Sequence, residues 1–430
     1  QALGSEEVTN GDFSAEGSNL VDNPNFTDTG SELVTDGDFS SSANWYEGTG
    51  CTISGNQGIF TSAPSGSGFT GNNLNAAICV VGKSYKVTYT IDSITSGSVG
   101  LRHPFTGTYY DNTSSFPLDV TEYVVADDTD IYIQNSGTTT ATISNVSVKE
   151  LGADWDVTGT QDSDHYVNFV SGGARLYFLT VSPIIQLKQY GLLTATKSYK
   201  FTCNTAYTGS GRLKVTLSGV NYNLSDEGLN TIYFTSGVGT EISFLRTSAN
   251  VDCILSNVSV QELGEGWTLS SGASITALGA KITHTPTAGQ ISQPSVLVLG
   301  KSYKLTYEIT ENISGGLKTN SAVITTMVTT VGIHTRYFEA DNTTFIIART
   351  HASNNDVTIT DISVQEIATS YLTQDVSLSA KTWKIIYSVS DYIAGSVSAT
   401  DYGAVTTADA VGITEYVEIG ATSDFRMVNI

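Results

Sequence analysis

Residues 82–89 read GKSYKVTY, and the chain repeats this stretch at intervals. Its apolar residues Tyr85, Val87 and Tyr89 alternate with polar ones. Alternation with a period of two is typical of a β-strand that has one face on a core and the other in water. We find no window with sustained helical periodicity, so the sequence predicts an all-β protein. The further copies are residues 197–202 (KSYKFT), 300–307 (GKSYKLTY) and, more weakly, 381–387 (KTWKIIY).

Two more signatures accompany these copies. A Thr-x-Tyr triplet ends 33 to 38 residues after the aromatic residue of each copy, and an alternating hexapeptide closes the first three repeats. The repeat is 104 to 114 residues long and has many Gly, Ser and Asn residues between its alternating segments. Short strands and frequent turns on this scale predict tandem antiparallel β-sandwich modules of the jelly-roll kind. The closing hexapeptides are residues 143–148 (ISNVSV), 255–260 (LSNVSV) and 359–364 (ITDISV).

The first 39 residues carry a smaller repeat. Residues 8–13 (VTNGDF), 21–26 (VDNPNF) and 34–39 (VTDGDF) are versions of one element, and their Phe residues are 13 residues apart. Only the third element leads into a tryptophan, Trp45, as the opening strand of a module would. The sequence therefore predicts that the other two elements are spare. The predicted domains are an N-terminal arm with two spare strand elements (1–32), three modules (33–151, 152–263 and 264–367) and an incomplete fourth module (368–430).

The fourth module is predicted to lack its first and last strands. It has no opening tryptophan, and the closing hexapeptide expected from the other modules would fall beyond Ile430. A sandwich that lacks strands exposes unpaired backbone unless another chain supplies them. Two explanations have equal weight at this stage. Either the arm or a partner protein completes the fourth module of a neighbouring subunit, or the chain continues beyond Ile430.

The composition excludes several classes of partner. With 20 Lys and Arg against 42 Asp and Glu, the net charge of −22 would repel nucleic acid and anionic membranes. No stretch approaches the roughly 20 apolar residues of a membrane span. Hydrophobic residues reach 40%, which is enough for buried cores. Each cysteine pair, Cys51 with Cys79 and Cys203 with Cys253, is open to two interpretations, a local disulfide or two buried free thiols.

Motifs for catalysis and metal binding are missing from the sequence. There is no HExxH, no CxxC and no phosphate-binding loop, and the Gly-Lys-Ser triplets that begin at residues 82 and 300 lack the earlier glycine of such a loop. The five histidines occur at unrelated repeat positions, so we expect them at the surface. We predict that the protein is not an enzyme and needs no cofactor or metal.

One segment has the residue types that sugar binding needs. An exposed aromatic ring can stack on the apolar face of a sugar while amides and carboxylates bind its hydroxyls. Such residues cluster between the first two signatures of module one, and a smaller set stands at the same place in module two. Alternatively, these aromatic side chains pack under their own loop or against a neighbouring subunit. The candidate glycan-binding residues are His103, Phe105, Tyr109, Tyr110, Asp111, Asn112, Tyr222 and Asn223.

The tryptophans that begin the modules have a different expected role. Trp45, Trp155 and Trp267 stand just inside each module, where we expect a large side chain to fill the core. Tyr46 would then face outward, because neighbouring residues of a strand point to opposite faces.

Residues 33–39 (LVTDGDF), Trp45 and the closing hexapeptide at 143–148 together resemble the jelly-roll carbohydrate-binding modules of families 4 and 9. Strings of such modules resemble those of tailed-bacteriophage fibres and other virion proteins. The resemblance covers module one, whereas modules two and three lack the Gly-Asp-Phe opening. It implies a structural calcium beside an acidic residue just after the Phe, but that position is Ser40 here, so calcium is possible at this site without being predicted. The oxygen donors near it are Asp36, Asp38, Asn145, Asn257 and Asp361.

These observations favour one function over two alternatives. A string of modules without catalytic motifs predicts a structural protein of a phage virion, a fibre or a surface decoration, that also binds host-surface glycans. The first alternative is a secreted bacterial filament or adhesin subunit, assembled by strand complementation between the arm and the incomplete fourth module. The second is a carbohydrate-binding appendage of an enzyme, which no accompanying catalytic domain supports. In the first two cases we expect a homo-oligomer at the virion surface or outside the cell.

Overall fold

The computed structural model shows an all-β chain whose strands pair antiparallel, which confirms the predicted fold class. Three β-sandwiches follow one another, and each has its own hydrophobic core. The described residues contain no helix that could span a membrane. The structure describes residues 3–27, 29–71, 77–102, 108–284, 289–319, 325–350, 354–367, 371–378, 381–389, 397–399, 410–419 and 422–429.

The N-terminal arm has three short strands, and a turn containing one of the repeated Val-to-Phe elements follows each of them. Two residues separate the first element from the next strand, so the connections between the arm's elements are short. The strands are β1 (Leu3–Glu6), β2 (Glu16–Asn19) and β3 (Thr29–Glu32).

Eight strands form the first sandwich: β4 (Trp45–Glu47), β5 (Cys51–Ser54), β6 (Gln57–Ala63), β7 (Gly68–Gly71), β8 (Ser84–Arg102), β9 (Tyr109–Asp111), β10 (Leu118–Val125) and β11 (Ile131–Leu151). The long strands β8 and β11 pair with each other and run through both sheets. One sheet adds β5, β6 and β10 to them, and the other adds β4, β7 and β9. Irregular pairing between Ser136 and Thr140 marks the place where β11 passes from one sheet to the other.

Ten strands form the second sandwich: β12 (Asp156–Thr158), β13 (His165–Val170), β14 (Gly173–Phe178), β15 (Gln186–Gln189), β16 (Ser198–Tyr207), β17 (Leu213–Leu217), β18 (Val220–Leu224), β19 (Gly228–Thr235), β20 (Ile242–Arg246) and β21 (Val251–Leu263). Its two sheets have the orders β13-β14-β21-β16-β19 and β12-β15-β20-β17-β18. The chain therefore passes back and forth between the sheets, as in a jelly roll.

The third sandwich repeats this arrangement with ten strands: β22 (Thr268–Leu269), β23 (Ala273–Thr276), β24 (Gly279–Thr283), β25 (Gln290–Gln293), β26 (Ser302–Ser314), β27 (Leu317–Thr319), β28 (Thr325–Thr326), β29 (Gly332–Glu339), β30 (Phe345–Arg349) and β31 (Asp356–Ile367). Its sheets have the orders β23-β24-β31-β26-β29 and β22-β25-β30-β27-β28. Each strand thus has the neighbours of its counterpart in the second sandwich.

The C-terminal segment contains five strands: β32 (Tyr371–Leu378), β33 (Lys381–Val389), β34 (Val397–Ala399), β35 (Ala410–Ile419) and β36 (Thr422–Asn429). They form the small sheets β32-β36-β34 and β33-β35. Among the described strands β33 pairs only with β35, whereas its counterpart β26 pairs with two neighbours.

The tyrosine of the repeated GKSY stretch fixes the start of the main strand in each sandwich. The predicted alternation is confirmed, because Tyr85, Val87 and Tyr89 are buried. Each of the three repeated tyrosines is 1% exposed, and its hydroxyl accepts a hydrogen bond from a backbone N–H five residues earlier. A buried ring with a satisfied hydroxyl explains why Tyr recurs here. The donor and acceptor pairs are Val80 and Tyr85 (2.7 Å), Thr194 and Tyr199 (2.8 Å), and Val298 and Tyr303 (2.9 Å).

The two arm elements that we predicted to be spare are in use. β1 pairs with β31 of the third sandwich, β2 with β21 of the second and β3 with β11 of the first. The arm therefore completes the three sandwiches in the reverse of their chain order. The prediction that residues 1–32 hold two spare elements that fill a neighbour's fourth module is wrong. The closing strands offer open edges within the same chain, and 13 residues of extended chain span up to roughly 40 Å, enough to step from one sandwich to the next.

The phenylalanine of each arm element packs against the tryptophan of the sandwich that the element completes. The three tryptophans are each 6% exposed, which confirms their predicted place in the cores. Each indole Nε1 also donates a hydrogen bond to an arm carbonyl, so the ring contact and the backbone contact hold the same turn. The pairs are Phe39 with Trp45 (ring centroids 4.7 Å apart), Phe26 with Trp155 (4.9 Å) and Phe13 with Trp267 (5.3 Å).

The Asn or Asp inside each closing hexapeptide shapes the backbone for the arm. Asn145, Asn257 and Asp361 have φ angles of 54°, 51° and 50°, a left-handed conformation that Asn and Asp adopt more readily than most residues. The N–H of the following residue donates to a carbonyl in the arm turn at 2.8 to 3.0 Å. These residues are therefore explained by strand geometry without a metal ion.

A repeated hydrogen bond joins neighbouring sandwiches. Ser84 Oγ accepts from the N–H of Phe169, and Ser198 Oγ accepts from the N–H of Ile275, both at 3.0 Å. Both serines are at most 3% exposed. The serine of the GKSY stretch thus serves the joint between modules, a role that its sequence pattern alone does not reveal.

All four cysteines are free and buried, so the structure shows thiols and no disulfide at either pair. Burial raises the pKa of Cys51 to about 11 and the pKa of Cys79, Cys203 and Cys253 to about 12. The thiolate is the reactive form, and groups with such pKa values hold almost none of it near neutral pH.

We expect the folded protein to resist thiol alkylation. Near pH 8, a thiol with a pKa of about 11 is ionised in roughly one molecule in a thousand, and burial also blocks the reagent. Intact-mass measurement after iodoacetamide treatment should show the unlabelled mass for the folded protein and four labels after denaturation. Rapid labelling of the folded protein at two or more sites would contradict the buried assignment.

Candidate functional site

The predicted glycan-binding residues fall into different surroundings. His103 and Phe105 lie outside the described residues. Tyr109 and Asp111 are exposed on β9, and the Asp111 carboxylate accepts hydrogen bonds from Thr113. The two asparagines, Asn112 in the first sandwich and Asn223 in the second, are exposed as well.

Tyr110 and Tyr222 lie on corresponding strands, β9 and β18, and both pack inward. Tyr110 stands opposite Val99 and Tyr222 opposite Val215, and both of these valines are fully buried. The two tyrosine rings pack against the cores of their own sandwiches. For these two side chains the geometry fits packing under their own loop rather than contact with a ligand.

A row of polar and aromatic side chains crosses the outer face of the sheet that contains β4, β7 and β9. The residues of this row stand opposite one another on four adjacent strands, and their strand neighbours Phe69, Leu101 and Ile133 point into the core. Tyr46 is 67% exposed, which confirms its predicted outward direction. The row consists of Tyr46, Thr70, Tyr132 and Arg102.

Beside this row the surface forms a groove, because glycines there have no side chains to fill it. Gly68 and Gly100 lie on either side of Gln134, and Tyr109 follows on β9. A Cβ on Gly68 would lie 2.1 Å from the carbonyl oxygen of Ile133, so this position has no room for a side chain. The groove has a volume of about 290 Å³, at the small end for ligand pockets, which suits one or two sugar rings. Its lining includes Tyr46, Thr70, Arg102, Tyr132 and Gln134.

The groove offers ring faces, one cation and an amide. The guanidinium carbon of Arg102 lies 5.5 Å from the ring centroid of Tyr132. Burial, together with the charges of Asp130 and Asp128, raises the pKa of the Tyr132 hydroxyl, which stays protonated and donates a hydrogen bond to Asp130 at 3.3 Å. Gln134 is held in place because its Nε2 donates to the carbonyl of Gly66 at 2.7 Å. These groups suit a neutral or weakly anionic ligand that is rich in hydroxyls.

The aromatic groove belongs to the first sandwich alone among the three. The equivalent rows of the other two sandwiches contain no aromatic residue, although the strands and their register are the same. The aromatic rings are therefore not required by the fold. The equivalent rows are Asp156, Lys188, Ser243, Thr216 and Asn221 in the second sandwich, and Thr268, Ser292 and Ile346 in the third, where the next position lies outside the described residues.

The titratable side chains do not assemble into a metal centre in the part of the chain that the structure describes, where no three His, Cys, Asp or Glu residues come together. One histidine differs from expectation. His165 is 5% exposed, and its two ring nitrogens contact Asp162 and Thr180, each at 2.8 Å. The prediction of a surface position is wrong for this residue, because both nitrogens find partners within the β13–β14 hairpin region.

The fold and the groove define a tandem β-sandwich protein with an aromatic groove on its first sandwich. No protein family and no curated protein matches the chain. The tandem CBM22 domains of Paenibacillus barcinonensis Xyn10C are similar over 55% of this chain and 98% of their own, with 8% identity and a TM-score of 0.21. The Sulfolobus Turreted Icosahedral Virus structure is similar over 65% and 88%, with 12% identity and a TM-score of 0.18. A triple jelly-roll protein of an archaeal virus turret is similar over 63% and 88%, with 12% identity and a TM-score of 0.17.

Proposed function

We propose that the protein is a non-enzymatic structural component of a phage virion, a fibre or a surface decoration, whose first sandwich binds host-surface glycans. The observation that carries this proposal is the groove beside Tyr46 and Tyr132, which is open to solvent and whose aromatic residues have no counterpart at the equivalent described positions of the other two sandwiches. An exposed ring on a fixed strand position is available for stacking without any cost of rearrangement. The Arg102 guanidinium and the Gln134 amide stand close enough to bind sugar hydroxyls.

The arm and the joints between modules support the structural half of the proposal. The arm adds one strand to each of the three sandwiches, and buried serine hydrogen bonds join each sandwich to the next. Contacts of this kind hold the modules in a fixed row. Such a row would present the groove at a defined distance from an attachment point, which is what a fibre or decoration protein requires.

Binding should depend on the two groove tyrosines, the exposed Tyr46 and the half-buried Tyr132. The variants Tyr46→Ala and Tyr132→Ala should each lower glycan affinity by about tenfold, since a stacked ring contributes up to about 1.5 kcal/mol. Glycan arrays followed by calorimetry on the best ligand would measure this. Tyr190→Ala is the matched control, because Tyr190 is 51% exposed in the second sandwich, away from the groove. Equal binding by all three variants would contradict the groove assignment.

A secreted bacterial filament or adhesin subunit is the second candidate. It is favoured by the C-terminal segment, where β33 pairs only with β35 among the described strands, because an open strand edge can accept a strand from a neighbouring subunit of a filament. Negative-stain microscopy of the native material separates the two. A projection on a capsid or tail supports the virion proposal, and a free polymer supports the filament.

A further inference from the structure

A buried glutamine holds the arm in the second and third sandwiches. Gln189 is 4% exposed; its Oε1 accepts from the N–H of Asp22, and its Nε2 donates to the carbonyl of Asp22, both at 3.0 Å. Gln293 is 2% exposed and binds the N–H and carbonyl of Thr9 at 3.1 and 2.6 Å. Each side-chain amide thus pairs with both backbone groups of one arm residue, as a neighbouring strand would. We call Gln189 and Gln293 the amide clamps.

The first sandwich has no amide clamp. Gly71 stands at the position of Gln189, and a Cβ there would lie 3.1 Å from the Trp45 ring. The presence or absence of a clamp correlates with how far along the chain each arm element lies from its sandwich. In the first sandwich Phe39 precedes its tryptophan by 6 residues, so the chain itself holds the arm element. In the second and third, the phenylalanine and tryptophan are 129 and 254 residues apart, so binding alone must hold the element.

We propose that residues 1–151 can leave the second and third sandwiches of their own chain and complete those of a second copy, which gives a reciprocally exchanged dimer. The ligand of the clamped sites is the arm sequence itself, and a second copy carries the same sequence. All contacts of the arm can therefore form equally between copies, including the ion pair between Glu16 and Lys200 at 2.6 Å. The balance between closed monomer and dimer then depends on protein concentration and on the linker.

The arm exchanges together with the first sandwich. Two residues separate Phe26 from Thr29, so an element bound to another copy brings the first sandwich of its own chain against that copy. The serine joint between Ser84 and Phe169 would then form between copies as well. The chain must consequently open between the first and second sandwiches, at residues 152–154.

The linker at residues 152–154 carries backbone strain that opening would relieve. Asp154 has a φ of 72°, in the region that favours glycine. The equivalent residue in the next linker is Gly266, which adopts a φ of 83° without this strain. Strained short linkers favour exchange between copies. The structure therefore places the opening point before the second sandwich rather than before the third.

Cysteine cross-linking between two tagged, full-length variants tests the exchange. One copy carries Asn19→Cys and the other Gln261→Cys, two residues that stand opposite each other on β2 and β21, and the two chains are expressed together so that they fold in one pool. Exchange predicts a disulfide-linked heterodimer whose fraction rises with protein concentration. The double variant on one chain serves as the reference for the closed form, and the native thiols are buried and do not compete.

The matched control is the pair Glu32→Cys and Lys149→Cys, which stand opposite each other on β3 and β11 within residues 1–151. This pair should give no heterodimer under the same conditions. Adding Asp154→Gly to both test variants should lower the heterodimer fraction severalfold, because it removes the strain that favours opening. The proposal is overturned if the Asn19→Cys and Gln261→Cys chains stay monomeric at all concentrations, or if the control pair links equally well.

Discussion

Deletion of residues 1–13 should unfold the third sandwich and leave the first two folded. The deletion removes β1, the buried Val8 and the ring of Phe13 that packs on Trp267. Loss of one buried phenylalanine side chain costs about 3–5 kcal/mol, a large share of the ~5–15 kcal/mol that stabilises a typical domain. Hydrogen exchange measured by mass spectrometry should show lost protection in residues 268–367 and unchanged protection in residues 45–263.

A longer deletion should extend the damage in a defined order. Removal of residues 1–26 takes away β2 and Phe26 as well, so the second sandwich should also lose protection while the first keeps it. The control is the double variant Ser5→Ala and Ser18→Ala, which changes two exposed arm residues and should alter no sandwich. If the first sandwich loosened first, as its position next to the arm in sequence suggests, the reverse order of completion would be wrong.

The sequence predicted the strands and their cores well because these depend on local patterns. Period-two alternation located Tyr85 and its neighbours on the buried face, and the place of each tryptophan just inside a module indicated its burial. The repeat itself revealed the number of sandwiches. In each case residues close together in the chain carry the information.

The destination of the arm was not predicted because its elements are short and nearly alike. Residues 8–13, 21–26 and 34–39 fit any of the three sandwiches equally well, and only the structure shows which closing strand each one meets. The numbers of arm elements and of module tryptophans did indicate this pairing. Three elements match three module tryptophans, and the second and third modules lack an opening element of their own.

The groove was missed for a related reason. Tyr46, Thr70, Tyr132 and Arg102 come from four strands, and they form a row only because the register of those strands brings them opposite one another. Sequence reasoning instead favoured a loop where aromatic residues follow one another. Of the predicted residues, Tyr109 comes nearest to the groove, since it stands opposite Gly100, although it does not line it.

Phe26→Ala should destabilise the second sandwich and spare the first, although residue 26 lies close to the first in sequence. The ring is fully buried and contacts both Trp155 and Phe169, at centroid distances of 4.9 and 5.9 Å. Its removal leaves a cavity between the arm and the sandwich, and we expect a loss of about 3–5 kcal/mol in the free energy of unfolding. Denaturant unfolding followed by exchange of residues 156–263 would measure the loss and locate it.

Phe39→Ala is the comparison that separates two effects, the loss of a buried ring and the retention of an arm element by its covalent link to the sandwich. Phe39 is 1% exposed against Trp45, so its removal should cost a similar amount in the first sandwich. The first sandwich keeps its arm element through the chain, whereas the second holds it by contacts alone. Phe26→Ala should therefore also release β2, seen as rapid exchange at Asn19 and Leu20, while β3 stays protected in Phe39→Ala. Equal protection of β2 and β3 in the two variants would mean that the Gln189 clamp alone retains the arm.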